Sequence, residues 1–158
     1  MGKILSTSEV SDYLNIWLFQ NRKLVLTNGC FDILHVGHLK TFREAKKHGD
    51  ILIVGINSDQ SVRSLKGPSR PIISEKARAE LIAALEPVDY VIIFDQYTAT
   101  ELIGLIQPHV YVKGGDYQLE NLPEKDIIRK LNTEVIFIPL VPDISTSEII
   151  NRIKTASF

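Results

Sequence analysis

Short apolar runs bounded by turn formers recur along the chain, and between them lie stretches whose apolar residues return every three or four positions. Lys23–Thr27 is a β-branched and leucine run ending in Asn28-Gly29, a strand entering a turn. Ile51–Ile56, Tyr90–Phe94, Val110–Lys113 and Glu134–Ile138 read as four further strands, the fourth of the five ending in Gly114-Gly115. Val36, Leu39, Phe42 and Ala45 share one helical face. Ala77, Leu81, Ile82 and Leu85 mark a helix that starts after Ser74 and stops before Pro87. This alternation predicts an α/β fold: a doubly wound, Rossmann-like, five-stranded, mainly parallel sheet with helices on both faces.

Helix starts add their own signatures. Thr98 with Glu101, and Ser145 with Glu148, have capping-box spacing, and Asn121 with Glu124 is a weaker version with Pro123 in the first turn. Residues 1–22 read as an N-terminal helical segment and residues 23–158 as the main domain. In the leading helix Val10, Leu14, Trp17 and Leu18 fall on one face. Two readings stand for it: packing against the domain, taken first, or a homodimer contact through Trp17, because aromatics are enriched at interfaces.

Composition narrows the classes. With 158 residues, 44% hydrophobic and 23% charged, the chain suits one globular domain. Eighteen basic against nineteen acidic residues give a net charge of −1, which leaves no electrostatic footprint for nucleic acid or an anionic membrane. Any cationic site is therefore local. No apolar stretch reaches the roughly 20 residues needed to span a bilayer. Met1–Ser8 lacks a secretory signal; Met1-Gly2 with Ser6 matches the myristoylation pattern, which a glycine introduced by cloning would also produce. Cys30 is the single cysteine, so no disulfide framework is expected and a reducing, cytoplasmic location is the default.

The densest cluster of chemistry follows the first predicted strand: Thr27-Asn28-Gly29-Cys30-Phe31-Asp32, then His35-Val36-Gly37-His38. In a doubly wound fold this is where ligands bind, and a helix N-terminus there favours an anion. His35 and His38 lie three residues apart on one side of that helix, with Gly37 leaving room for a phosphate chain. Two other readings are ordinary surface histidines and a zinc site with Cys30, which would be short of ligands. Neither G-x-G-x-x-G nor G-x-x-x-x-G-K-[ST] is present, so phosphates would depend on the histidines and on remote cations. Lys66 and Arg70 in the loop Leu65–Pro71, Arg78 one turn into the next helix, and Lys113 before Gly114-Gly115-Asp116-Tyr117 are the candidates. Ser145-Thr146-Ser147 is a capped helix start whose hydroxyls and free N–H groups could also bind phosphate.

Together these pieces resemble the cytidylyltransferase-like nucleotidyltransferases, whose hallmark is H-x-G-H at the start of the first helix. Within that superfamily the chain is similar, from about Lys23 to Ile153, to the adenylyltransferases of ADP-heptose synthesis, found alone or as the second half of a bifunctional enzyme. The resemblance rests on T-N-G-C-F-D-I-L-H-V-G-H, V-G-I-N-S-D, L-K-G-P-S-R-P, V-K-G-G-D-Y and S-T-S. It implies transfer of AMP from ATP to D-glycero-D-manno-heptose 1-phosphate, giving ADP-heptose and pyrophosphate. In this reading His35, His38, Lys66 and Arg78 act at the phosphates. Thr27, Asn28, Gly29, Phe31, Gly37, Lys113, Gly114, Gly115, Ser145, Thr146 and Ser147 bind nucleotide or phosphate. Asp32, Asn57, Asp59, Arg70 and Asp116 contact the sugar phosphate or hydroxyls, with Asp32 equally able to fix its turn. Mg²⁺ would be carried mainly by the ATP phosphates, with no protein metal site. The stretch Leu140–Ser147 lacks the arginine of the R-T-E-G-I-S-T-T segment in glycerol 3-phosphate cytidylyltransferases, which argues against CTP. A same-fold enzyme using CTP or another polyol phosphate, and a nucleotide-binding module without turnover, are the competing readings.

Overall fold

A computed structural model describes residues 1–156; the end of the expected 23–158 domain lies outside the described residues. The elements run β1 (Lys3–Leu5), α1 (Thr7–Phe19), β2 (Leu24–Gly29), α2 (Val36–Lys46), β3 (Ile51–Asn57), α3 (Asp59–Lys66), α4 (Glu75–Ala83), β4 (Tyr90–Phe94), α5 (Thr100–Ile106), β5 (Val110–Gly114), α6 (Lys125–Leu131), β6 (Glu134–Ile138) and α7 (Thr146–Thr155). A 3-10 turn occupies Leu119–Asn121. Among the described residues the strands form one six-stranded sheet in the order β1-β4-β3-β2-β5-β6, and every pair is parallel. The expected doubly wound α/β fold is present, with one strand more than the five anticipated.

The additional strand is β1. It has three residues, of which only Leu5 is buried, so it carries no apolar run to announce it. Its pairing with Tyr90–Ile92 of β4 makes it a strand. Covered on both faces, the central strands read as continuous apolar runs, and all seven residues of β3 are buried. One face packs around Leu26, Ile53, Tyr111 and Leu102, the other around Val25, Phe42, Val54 and Ile82.

Trp17 belongs to the first of these cores. Its ring lies 4.7 Å from that of Tyr90 and 5.7 Å from that of Tyr13, and it is 3% exposed. It faces inward, which is the packing reading; Leu18, expected on the same face, points to solvent.

The caps differ from the spacing rule in instructive ways. α1 carries a complete capping box, Ser6 with Glu9. α5 begins after Ala99 without a side-chain cap; the Glu101 carboxylate accepts from Gln96, and the Ala99 N–H donates to the Glu124 carboxylate at 3.1 Å. The Asn121–Glu124 box does not form either: Asn121 ends the 3-10 turn and Glu124 itself is the residue before α6. At α7 the Glu148 N–H donates to Ser145 Oγ at 3.1 Å, while the Glu148 carboxylate turns to Arg152 rather than closing the box.

Strand order reverses direction at β2: β3 and β4 lie on one side, β5 and β6 on the other. The crevice at the carboxyl ends of β2 and β5 is the switch point where such folds bind ligands.

Candidate active site

A cavity of about 610 Å³ opens over this switch point. Its wall is built from the segment after β2, the start of α2, the ends of β3, β5 and α3, the stretch after β4, the approach to α6, and the loop into α7.

His35 is the N-cap of α2, and its Nδ1 accepts the Gly37 N–H at 3.2 Å. The neutral ring therefore carries its proton on Nε2. A Cβ on Gly37 would lie 2.9 Å from the His35 ring, so the glycine makes room for the imidazole itself. His38 stacks on His35 with 3.7 Å between centroids and 25° between planes. Phe31 meets His38 edge-on at 5.1 Å and Phe42 at 5.0 Å. To put its ring there Phe31 takes φ 47°, in the left-handed region a large side chain rarely adopts. Burial holds the His38 pKa at about 4, helped by the neighbouring His35, and burial also lowers that of His35. Both rings are neutral at pH 7. His38 Nδ1 is buried and, among the described residues, has no hydrogen-bond partner.

On β5, burial pushes the Lys113 pKa down while Glu124 and Cys30 oppose the shift. Lys113 Nζ lies 3.4 Å from Asn28 Oδ1, which also accepts the Tyr111 hydroxyl at 2.5 Å. This triad orients the Asn28 amide at the end of β2. Lys66, the last residue of α3, and Arg70 line the opposite rim, and Ser145, Thr146 and Ser147 line the cavity at the start of α7.

Sixteen of the twenty residues expected at the site line this cavity: Thr27, Asn28, Gly29, Phe31, Asp32, His35, Gly37, His38, Asn57, Lys66, Arg70, Lys113, Gly114, Ser145, Thr146 and Ser147. Arg78, Asp59, Gly115 and Asp116 do not. The Arg78 guanidinium is fully buried behind the site, donating to the carbonyls of Ile73, Cys30 and Asn57 and to Asp59 Oδ1 at 2.5–2.9 Å. All of its nitrogens are engaged in holding the ends of β2 and β3 against α4. Asp59 in turn accepts the Glu75 N–H at 2.8 Å. Gly115 turns at φ 125° beneath the Tyr117 ring, and Asp116 is exposed.

Asp32 lines the cavity, yet its carboxylate is committed to the protein. It accepts the N–H groups of Ile72 and Ile73 at 2.8–2.9 Å and pairs with Arg70. Although burial works against the charge, these donors keep its pKa below the usual carboxylate range. It fixes the return of the 66–73 loop over the site. Asn57 is similarly engaged, donating to Ser61 Oγ at 2.9 Å.

Several wall residues were not expected at the site, and the sequence placed Thr98 and Glu124 only at helix starts. Thr41, Tyr97, Thr98, Tyr117, Ile144 and Glu124 reach the cavity from separate elements. Glu124 is 2% exposed; one of its oxygens takes the Ala99 N–H, and Oε2 is buried without a hydrogen-bond partner among the described residues.

The profile of the cytidylyltransferase-like family matches residues 26–152, a span that contains every residue lining this cavity, and the chain belongs to that family. The chain is 47% identical over 152 residues to the bifunctional protein HldE of Syntrophotalea carbinolica, covering 96% of this chain and 31% of that protein. It is 51% identical over 133 residues to the bifunctional protein HldE of Aliarcobacter butzleri, covering 84% of this chain and 27% of that protein. It thus spans about a third of the length of these curated relatives. Among solved structures it is similar to the lipopolysaccharide core biosynthesis protein of Thermoplasma volcanium, with a TM-score of 0.61 and 29% identity, covering 76% of this chain and 97% of that chain. No helix among the described residues is long and apolar enough to cross a membrane.

Proposed function

We propose that this domain transfers AMP from ATP to D-glycero-D-manno-heptose 1-phosphate, releasing pyrophosphate and forming ADP-heptose. The observation that carries the proposal is the stacked His35–His38 pair at the N-terminus of α2, facing a cavity rimmed by Lys66, Arg70, Lys113 and the Ser145–Ser147 run. Family membership and the likeness to a lipopolysaccharide core biosynthesis protein support the same reading.

The chemistry needs no protein nucleophile. An oxygen of the sugar phosphate, already anionic, attacks the α-phosphorus of ATP; the bond from that phosphorus to the bridging β-phosphate oxygen breaks, and pyrophosphate leaves with the electron pair. What the protein must do is hold two polyanions together and stabilise charge growing on the phosphoryl oxygens and the leaving group. Neutral imidazoles suit this. The His35 Nε2–H has no acceptor among the described residues, and an arriving phosphate raises the pKa of both rings, so they gain positive character as negative charge develops. The lysines and Arg70 supply the fixed cations, and the hydroxyls and N–H groups at the start of α7 suit the β- and γ-phosphates.

Among the described residues no group of three or more His, Cys, Asp or Glu is placed to hold an ion. Mg²⁺ carried by phosphate oxygens and water would supply charge neutralisation on the triphosphate.

The test is pyrophosphate release with Mg²⁺ from ATP and from CTP, each with both anomers of heptose 1-phosphate. Release with ATP and one anomer is the expected result and identifies the anomer. Release only with CTP would move the substrate assignment. No release with any pair, from protein that binds ATP, would point to a binding module.

A further inference from the structure

Buried polar atoms in folded proteins almost always have partners, so an exception at a cavity wall calls for a ligand group that supplies one. Glu124 is such an exception. Its side chain lines the cavity, Oε1 accepts the Ala99 N–H at 3.1 Å, and Oε2 is shut away from solvent without a partner. A carboxylate oxygen left in this state is costly. It can only accept a hydrogen bond, so a phosphate would not satisfy it.

Its position along the sheet narrows the choice. Glu124 is tied to Ala99, next to the wall residues Tyr97 and Thr98, at the carboxyl end of β4. The His35–His38 pair follows β2, two strands away, and the Ser145–Ser147 run follows β6, two strands beyond β2 on the other side. Glu124 itself precedes α6 and lies within electrostatic range of Tyr111 and Lys113 on β5, so its carboxylate stands between the start of α5 and the end of β5. With the triphosphate between the histidines and the α7 start, the wall formed by Tyr97, Thr98 and Glu124 is left for the part of the acceptor beyond its phosphate.

Resting on the proposed function, we infer that Glu124 is the group that recognises a hydroxyl of the acceptor sugar through Oε2, and so selects a polyol phosphate over a bare alkyl phosphate. The charge-assisted bond it forms is of the strong class, and the hydroxyl supplies the donor that Oε2 lacks among the described residues.

Glu124→Gln tests this, since the amide keeps an oxygen for the Ala99 N–H while removing the charge. The expected result is a KM for heptose 1-phosphate raised about tenfold, with the KM for ATP within about twofold and an unchanged melting temperature. A matching rise for ATP alone would place the nucleotide against Glu124 and overturn the inference; so would unchanged Michaelis constants with a lowered melting temperature, which is a purely structural role. Single-deoxy acceptors give a second measurement on the wild type. One deletion is expected to cost about tenfold, and an even response to every deletion would count against the inference. If wild-type protein does not turn over heptose 1-phosphate, the functional reading fails, and calorimetric titration of other polyol and sugar phosphates into the protein loaded with a non-hydrolysable ATP analogue then decides Glu124. Weaker binding to Glu124→Gln than to wild type supports the inference; equal binding, or none to either protein, overturns it.

Discussion

The ring of His35 lies flat against that of His38, 3.7 Å between centroids, and the Gly37 N–H holds His35 through Nδ1. Two imidazoles so close cannot both be protonated cheaply, and burial favours the neutral forms further. The pair is a device that waits for an anion.

Its consequence for stability has a definite sign. As pH falls below about 6.5 the His38 ring of the unfolded chain takes up a proton, while the folded ring stays neutral down to about 4. The stability is complete above pH 6.5 and is lost as pH falls through that window, by an amount of the order of 3 kcal/mol. Denaturant titrations of wild type and His38→Gln at pH 5 and pH 8 check this: the variant should show a smaller difference between the two pH values.

The same variant addresses catalysis. His38→Gln should lower kcat by about a hundredfold to a thousandfold, the range for removing one donor to a developing charge, while stability at pH 8 changes little. Activity within about twofold of wild type would remove His38 from the mechanism.

Arg78 should behave differently from a phosphate-binding cation. Replacing it by Ala leaves Asp59 and the carbonyls of Cys30, Asn57 and Ile73 without their donor. The expected loss is about 3–5 kcal/mol, read by urea denaturation. Loss of activity with full stability would mean that the guanidinium does reach the substrate.

Asp32→Asn should loosen the loop it anchors. Losing a charged acceptor for Ile72, Ile73 and Arg70 should cost about 2 kcal/mol and make the 66–73 segment more sensitive to protease. Limited proteolysis with mass mapping reads this directly; an unchanged cleavage pattern would mean the loop is held by other contacts.

Ser145→Ala removes the N-cap of α7 and a hydroxyl from the cavity wall together. A stability loss of about 1 kcal/mol is the cap alone. A rise in the KM for ATP alongside it would add the phosphate role; thermal denaturation and steady-state kinetics separate the two.

Much of the fold was legible because its signals are local. The β2–turn–α2 unit announces itself within a dozen residues, and the buried strands read as apolar runs. β1 was not legible, since three residues with one buried side chain owe their strand geometry to β4. The expected caps at α5 and α6 failed for a similar reason. A carboxylate at the right spacing is free to cap only if no other donor claims it first, and Glu101 is taken by Gln96 while Glu124 takes the Ala99 N–H from twenty-five positions away.

The sequence by itself determined a parallel α/β sheet with a glycine- and histidine-rich turn after its first long strand, because periodicity and turn chemistry act over a few residues. It also determined that charges sufficient for a phosphate site exist. Tertiary structure decided which of them face the ligand. Lys66, Arg70 and Lys113 line the cavity, whereas Arg78 and Asp59 are spent on each other and on the backbone behind it. Glu124, placed by spacing at a helix start, became a buried wall of the site. Pairing and burial depend on residues tens of positions apart, such as Tyr111 with Asn28 or Arg78 with Cys30, and only the closed sheet brings those together.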